Sequence, residues 1–540
     1  MFNPRFVLLF LILTAALARP VPVEALERWL YCAQNLWVDK NIDNLEALLR
    51  RAAKAGYTHV LISDSKSSKL GDMDARYFRN VDRVKKIAAE LNLELVPALF
   101  SVGYSNDLLW HDPNLIEALP VHEAPFVVEG GVARLQPDPE LALKDGSFSD
   151  LKKWGWHDAN VIPDGDSIRI SDPKGENARI SQKIKLRPFR QYHVSVRVKT
   201  QDFRGQPQVQ LLAGKRSLNH NNLGVKPTQD WILHHVVFNS LDNLEAQLYF
   251  GCWGGGTGSL WWKDAKLEEV GLLNAVRREG APLMVKTEEG KMLTEGKDFE
   301  AFKDPLMGVK PWKGSYDVYH EPPLLKTSLP DGTRLRISYY HTATVHDDQA
   351  MICPSEPRTV ELLRDQAKRV HAAWGTKGYM MSHDEIRVLN WCDACQRRKL
   401  DAGAILADNV KTCIHILREV NPGGKIYVWS DMFDPNHNAH KDYYLVRGDL
   451  TGSWEGLDKE VIIIPWYFEK RAASLKFFAD RGHRQVIAGY YDHKPEQIRD
   501  WLSAAKPFPG VVGAMYTTWE SKFADLERFA EVMRETESAK

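Results

Sequence analysis

The sequence predicts an α/β protein: a (β/α)8 barrel of the TIM type, interrupted after its third strand by a β-sandwich insertion. Three observations predict it. A strand–helix rhythm opens the chain. An alternating, turn-rich tract replaces it from about Lys144 to Val270, and the rhythm then returns and runs to the end. Short apolar strands alternating with amphipathic helices build parallel sheets, and three such units before the interruption plus five after it close a barrel. A doubly wound open sheet gives similar local signals, so closure rests on the count.

In the opening part, taken as 25–125, Trp29–Gln34 is apolar and strand-like. Asn41–Ala55 carries Leu45, Leu48, Leu49 and Ala52 at helical spacing. Thr58–Ser63 reads as a strand, Val81–Leu91 as a helix and Glu94–Phe100 as the third strand. The insertion, 140–272, shows short alternating segments at Ser167–Ser171, Ala178–Leu186, Tyr192–Thr200, Gln208–Leu212, Trp231–Asn239, Ala246–Cys252 and Ser259–Glu268. Regular spacing of such segments is the mark of a sandwich. Residues 273–330 form a β-rich connection punctuated by Pro and Gly, and Arg334–Tyr340 reads as the end of the insertion. The second part of the barrel, 331–535, supplies strands Gly378–Ser382, Lys425–Ser430, Val461–Trp466, Gln485–Tyr490 and Val511–Thr517. Helices Pro357–Ala373, Ala402–Val420, Ala472–Arg481, Glu496–Ala504 and Phe523–Glu535 accompany them.

Composition narrows the function. The 540 residues are enough for two or three domains, and 71 basic residues balance 71 acidic ones. No basic surplus is available for a phosphate backbone, which argues against a nucleic-acid partner. Hydrophobic content of 44% with a mean hydropathy of −0.38 describes a soluble globular chain. Tryptophan is abundant, at 17. The N-terminus reads as a signal peptide over 1–18: Arg5, an apolar run Phe6 to Ala15, and the cleavage pattern Ala16-Leu17-Ala18. A secreted or periplasmic protein is expected, with no membrane span in its mature form. The oligomeric state is not legible.

Six cysteines are present, and only Cys392-Asp-Ala-Cys395 is closely spaced. One such pair without a second is weak evidence for zinc, and no thioredoxin pattern surrounds it. In an exported chain a local disulfide, or a pair of buried thiols, is the expectation.

Barrels of this kind place their sites at the C-terminal ends of the strands. The residues there are aromatic and acidic: Asn35, Trp37, Asp64, Tyr104, Asp384, Glu385, Trp429, Asp431, Trp466, Tyr467, Tyr490, Tyr491, Asp492, Trp519 and Glu520. An Asp after a strand often caps a helix and a Trp often fills a core, so the recurrence carries the argument. Carboxylates among aromatic rings, without a Gly-rich phosphate loop, suit a glycosidase pocket. Asp384-Glu385 is the sharpest signal. Adjacent side chains alternate along a strand, so they share a pocket only where the strand ends and the backbone turns. An acid-plus-nucleophile dyad flanking a glycosidic bond needs carboxyls about 5–5.5 Å apart. An adjacent pair better suits substrate-assisted hydrolysis, with Glu385 protonating the leaving oxygen and Asp384 holding a 2-acetamido group. His383 beside them either tunes the pair or packs.

The stretch Met351-Ile-Cys-Pro-Ser-Glu-Pro-Arg-Thr-Val-Glu-Leu-Leu through Gly378-Tyr-Met-Met-Ser-His-Asp-Glu-Ile resembles the family-20 glycoside hydrolases, the β-N-acetylhexosaminidases. Val428-Trp-Ser-Asp431, Ile464-Pro-Trp466, Tyr490-Tyr-Asp492 and Tyr516-Thr-Thr-Trp519-Glu520 are similar to its later strands. The resemblance implies Glu385 as general acid/base, Asp384 as the acetamide-orienting carboxylate and Tyr491 as donor to the acetamide carbonyl. It further implies Trp466 and Trp519 as walls and Glu520 on the outer hydroxyls, with a glycan as partner and no cofactor or metal for catalysis. Trp429, Asp431, His383 and Asp492 complete the candidate substrate-binding set. Ser382-His383 stand where the family has two glycines, Met380 replaces its histidine, and Leu30–Trp37 lacks its arginine. Two alternatives follow: a neutral-sugar glycosidase with Glu385 as acid and Asp431 or Glu520 as nucleophile, or a decayed glycan-binding barrel. Within the insertion, Asp145-Gly-Ser-Phe148, Tyr192–Thr200 and Trp261-Trp-Lys-Asp264 resemble a jelly-roll carbohydrate-binding module. That resemblance implies a structural calcium, with Asp145 and Asp264 as its candidates.

Overall fold

The computed structural model describes residues 26–346 and 348–538. The signal peptide expected over 1–18 lies outside the described residues.

Eight parallel strands close a barrel in chain order: β1 (Glu27–Ala33), β2 (His59–Ser63), β3 (Glu94–Leu99), β4 (Gly378–Met381), β5 (Lys425–Trp429), β6 (Ile462–Ile464), β7 (Gln485–Ile487) and β8 (Val511–Tyr516). The closing seam pairs Glu27 with Gly513 through Leu30 with Tyr516. Alternation along each strand divides the apolar residues between two cores. Trp29, Leu61, Val96, Tyr427, Ile464, Val486 and Met515 fill the barrel interior, while Leu30, Val60, Ile62, Leu95 and Val428 face the helices. Burial on both faces explains why these strands read as continuous apolar runs.

The longer helices are α1 (Asp39–Ala55), α2 (Ala75–Glu90), α3 (Pro357–Trp374), α4 (Ala402–Val420), α5 (Arg471–Asp480), α6 (Gln497–Ala505) and α7 (Leu526–Ser538). Their ends follow local chemistry. Asp74 caps α2 by accepting from the N–H groups of Arg76 and Tyr77, Asp401 caps α4, and Pro357 opens α3. The fifth unit carries no helix: 3₁₀ turns and a short strand, Leu445–Val446, join β5 to β6. One of the turns, Ser453–Gly456, lies against α4 so closely that a Cβ on Gly456 would sit 2.1 Å from the Ala407 carbonyl oxygen.

Two antiparallel sheets fill the interruption between β3 and β4. One has eight strands within Trp156–Val270. Segments expected as separate strands are continuous here: Tyr192–Thr200 and Gln208–Leu212 lie in Gln191–Ala213, and Ala246–Cys252 and Ser259–Glu268 in Glu245–Val270. These two pair along their length, from Gln191 opposite Val270 to Leu212 opposite Gln247. Register shifts near Ser195, Gln201 and Gly205 interrupt the regular ladder. The second sheet has six strands and moves two domain boundaries. Ala118–Glu129 pairs antiparallel with Arg334–Thr342, so the end of the 25–125 span lies outside the barrel, as does the start of the 331–535 span, where Arg334–Tyr340 was read as the end of the insertion. A separate apolar cluster (Val121, Phe126, Val285, Leu335, Ile337) supports this sheet, and the 273–330 connection is part of it. No helix among the described residues is long and apolar enough to cross a membrane.

Candidate active site

A cavity of about 500 Å³ opens at the C-terminal mouth of the barrel. Strand β1 contributes Tyr31, β2 Ser63, and the loop after β3 Ser101 and Tyr104. The end of β4 contributes Met380, Ser382, Asp384 and Glu385, and the later strands Trp429, Trp466 and Trp519. Three of the aromatic rings form an edge-to-face box. Tyr31 lies 5.3 Å from Trp519 and 6.1 Å from Trp429, and the two indoles are 6.0 Å apart.

The adjacent carboxylates both reach this cavity because the backbone turns between them. Glu385 adopts a left-handed φ of 50°, directly after β4 ends. Its N–H donates to Asp431 Oδ2 at 2.8 Å, and its carbonyl accepts from Gln349 Nε2 at 3.1 Å. Its carboxylate is ion-paired with Arg387 at 2.5 Å and accepts from the Tyr104 hydroxyl. The β3 loop presses against this turn: a Cβ on Gly103 would fall 1.8 Å from the Asp384 carbonyl oxygen. Only glycine permits that approach.

Two carboxyls here are pushed upward. Asp384 rises to about 8, by desolvation first and then by the charge of Asp431. Asp431, fully buried, rises to about 7, chiefly through desolvation. Glu385 is the third member of this cluster. Desolvation and mutual repulsion leave Asp384 and Asp431 short of full ionisation near neutral pH.

The structure separates the sequence-derived candidates into four groups. Asp384, Glu385, Trp429, Trp466 and Trp519 line the cavity. Asp431 and Asp492 lie just outside it and brace those that do. Asp431 accepts from Glu385 N–H, Asn438 Nδ2 and Trp466 Nε1, while Asp492 accepts from the Thr518 hydroxyl at 2.5 Å and the Trp519 N–H at 3.2 Å. Glu520 sits exposed on the rim, paired with Lys522 and accepting from Tyr490 at 3.0 Å. Tyr491 and His383 are corrections. The Tyr491 ring is fully buried against Phe529 of α7, 4.8 Å away, with its hydroxyl directed to the Ala488 carbonyl. Strand β7 ends at Ile487, and the chain after it turns the Tyr491 ring towards α7, not into the cavity where the family resemblance implied it. His383 is buried towards α4, its Nε2 3.1 Å from Asn409 Oδ1, and desolvation lowers it to about 4. It packs rather than lining the cavity. Among the remaining strand-end residues, Asp64 caps a turn by accepting from Leu36 and Lys66 N–H groups, and Trp37 donates to Asp74.

Sequence reasoning missed Tyr31, Arg387 and Gln349. Tyr31 lies inside β1 rather than past its end. Its only signal was the inward parity it shares with Trp29. Arg387 follows the turn after β4 and stacks over Tyr444 with 5.0 Å to the ring centre. Gln349, from the far end of the insertion, donates to the Gly103 carbonyl and accepts from Arg387. No local pattern reports such a contact. In the insertion, Ala265 N–H donates to the Gly146 carbonyl at 2.7 Å, which brings the turn that holds Asp145 beside the strand that holds Asp264. Asp145 accepts from Ser147, Ser149 and the Asp150 N–H of its own turn, and Asp264 faces Arg197.

No family model matches the chain, and no curated protein matches it. Several solved structures match part or most of the chain at low identity, with TM-scores below 0.5. The tandem family-20 catalytic modules of the pneumococcal exo-β-D-N-acetylglucosaminidase are 8% identical, with 95% of this chain and 84% of that one covered at a TM-score of 0.37. A rhamnosidase from Novosphingobium sp. PP1Y is 12% identical at a TM-score of 0.34. That match covers 95% of this chain, which spans only 59% of the rhamnosidase. A family 29 carbohydrate binding module is 14% identical over 21% of this chain and 78% of its own, at a TM-score of 0.16.

Proposed function

We propose that this protein is a retaining glycoside hydrolase that cleaves β-linked 2-acetamido sugars with assistance from the substrate's own acetamide. The observation that carries the proposal is the meeting of Asp384 and Glu385 in one aromatic-walled cavity at the barrel mouth. A carbohydrate offers flat C–H faces to indole rings and hydroxyls to polar groups, and this cavity supplies both. Glu385 is assigned the acid/base role, and Asp384 accepts from the acetamide N–H as positive charge develops there. Asp384 plays that part as a carboxylate, and desolvation together with the charge of Asp431 pushes its carboxyl up to about 8. The rate on 2-acetamido substrates therefore rises as pH increases towards about 8, as Asp384 gives up its proton.

The surroundings of the two candidate nucleophiles weigh against the neutral-sugar alternative. Asp431 is sealed behind its hydrogen bonds, and Glu520 is turned to the rim against Lys522. One observation favours the glycan-binding alternative, namely the Glu385–Arg387 ion pair, which occupies the proposed acid.

The test is Glu385→Gln on two substrates. With a poor leaving group, turnover drops by a factor on the order of 10²–10⁴, whereas an activated aryl 2-acetamido glycoside suffers far less because its leaving group needs little protonation. Equal losses on both remove Glu385 from the acid role. Inhibition by an N-acetyl-thiazoline, which mimics the oxazoline intermediate, separates substrate assistance from a two-carboxylate mechanism. Binding of glycan without turnover of any aryl glycoside selects the glycan-binding alternative.

A further inference from the structure

Away from the cavity, three cysteines and a glutamate converge where the insertion joins the barrel. Cys353 Sγ lies 3.4 Å from Cys392 Sγ and 3.6 Å from Cys395 Sγ, and Glu117 Oε2 lies 3.4 and 3.5 Å from the latter two sulfurs. All four residues are buried, and their ligand atoms fall within 4.8 Å of one another. The sulfurs are too far apart for a disulfide, whose S–S length is about 2.05 Å. All six cysteines are free, so of the two expectations for Cys392 and Cys395 the structure shows buried thiols rather than a disulfide. A tetrahedral zinc ion with Zn–S near 2.3 Å and Zn–O near 2.0 Å requires S···S separations of about 3.8 Å and S···O separations of about 3.5 Å. The observed cluster already has that shape.

We propose that Glu117, Cys353, Cys392 and Cys395 form a structural zinc site. Glu117 is presented for the purpose: its Oε1 accepts the N–H groups of Trp391 (2.7 Å) and Cys392 (2.9 Å), which leaves Oε2 to face the sulfurs. Three thiolates and one carboxylate around a divalent cation carry two surplus negative charges. Arg278, whose side chain is only 7% exposed, lies alongside. Its guanidinium donates to Glu356 and to the carbonyls of Asn114 and Ile116. Thiolate ligands select zinc over hard cations, and four buried protein ligands leave no position for a reactive water, so the ion is structural rather than catalytic.

The site also has a job that the topology makes clear. Glu117 precedes the insertion's first strand and Cys353 follows its last, and the two segments are joined by Cys353 N–H to the Leu115 carbonyl and Glu117 N–H to the Met351 carbonyl, both 2.7 Å. Cys392 and Cys395 belong to the chain that continues from the Asp384–Arg387 turn. One ion thus fastens the root of the insertion to the loop that carries the cavity's carboxylates.

Elemental analysis of the full chain, purified without chelator, should find about one zinc per molecule. Replacement by Co²⁺ should give intense visible bands of a tetrahedral ion and a near-ultraviolet thiolate charge-transfer band, both lost in Cys353→Ser. If that variant does not fold, Glu117→Gln keeps three thiolates and should release zinc to a competing chelator at least tenfold more readily. Zinc well below one per chain with no cobalt–thiolate band, iron in its place, or a Cys392–Cys395 disulfide by mass spectrometry would each overturn the proposal. Unchanged zinc retention in Glu117→Gln would remove Glu117 as a ligand.

Discussion

Asp384 combines two properties that a single substitution can separate. Its folded form holds a proton up to about 8, whereas a carboxyl in the unfolded chain releases it near 4. Between those values the folded state binds more protons, so stability falls as pH rises through this window. Asp384→Asn removes that penalty. Melting temperatures should show little gain at pH 5 and a gain on the order of a few degrees at pH 8.5. A gain independent of pH would mean that Asp384 is not protonated in the folded protein. The same variant should lower kcat on 2-acetamido substrates by a factor on the order of 10²–10³ with KM nearly unchanged, because the lost interaction strengthens in the transition state. Azide should not restore its activity, since the nucleophile belongs to the substrate. Rescue with a glycosyl azide of inverted configuration would instead place a protein carboxylate in that role.

Individual elements are placed by contacts too close for any side chain to intervene. The β3 loop reaches the β4 turn at Gly103, where a methyl group would overlap the Asp384 carbonyl. Gly103→Ala must displace that turn, and with it the Glu385 N–H that donates to Asp431. Activity should fall at least tenfold while global melting shifts far less. Full activity would show that the turn tolerates a shift. Element boundaries show where local pattern suffices. The span of α4 coincides with the expected Ala402–Val420, since Asp401 caps it and its apolar spacing is regular. No helix joins β5 to β6, and the helices read from the sequence place none between Asp431 and Val461. Tyr491 was misplaced because β7, read as Gln485–Tyr490, ends at Ile487, so the residue the family resemblance put at the cavity lies in the chain beyond the strand.

At the scale of the molecule, the eight-stranded sheet leaves and returns at nearly the same place. Asp138 N–H donates to Glu269 Oε2 at 2.9 Å, so the flanks of 140–272 are already adjacent. Replacing this tract by a short linker should leave a folded protein that still cleaves small aryl glycosides, with weaker binding to polymeric glycan in a pull-down. The measurement can also expose a structural role, because Asn239 donates to the Pro120 carbonyl and Gln191 accepts from the Tyr339 hydroxyl. Loss of folding on excision would identify the tract as a buttress for the six-stranded sheet.

The sequence by itself determined the barrel and its central pair of carboxylates. Strand parity, helical spacing and caps are local, and a strand end followed by Asp384-Glu385 is visible in a few residues. Tertiary structure alone decided what depends on distant segments. Tyr31 faces the cavity only because β1 closes on β8, and Gln349 reaches Arg387 only because the insertion folds back. Cys353 meets Cys392 and Cys395 across a long stretch of chain that includes α3. Such contacts follow from how the chain returns to itself, which spacing along the sequence does not encode.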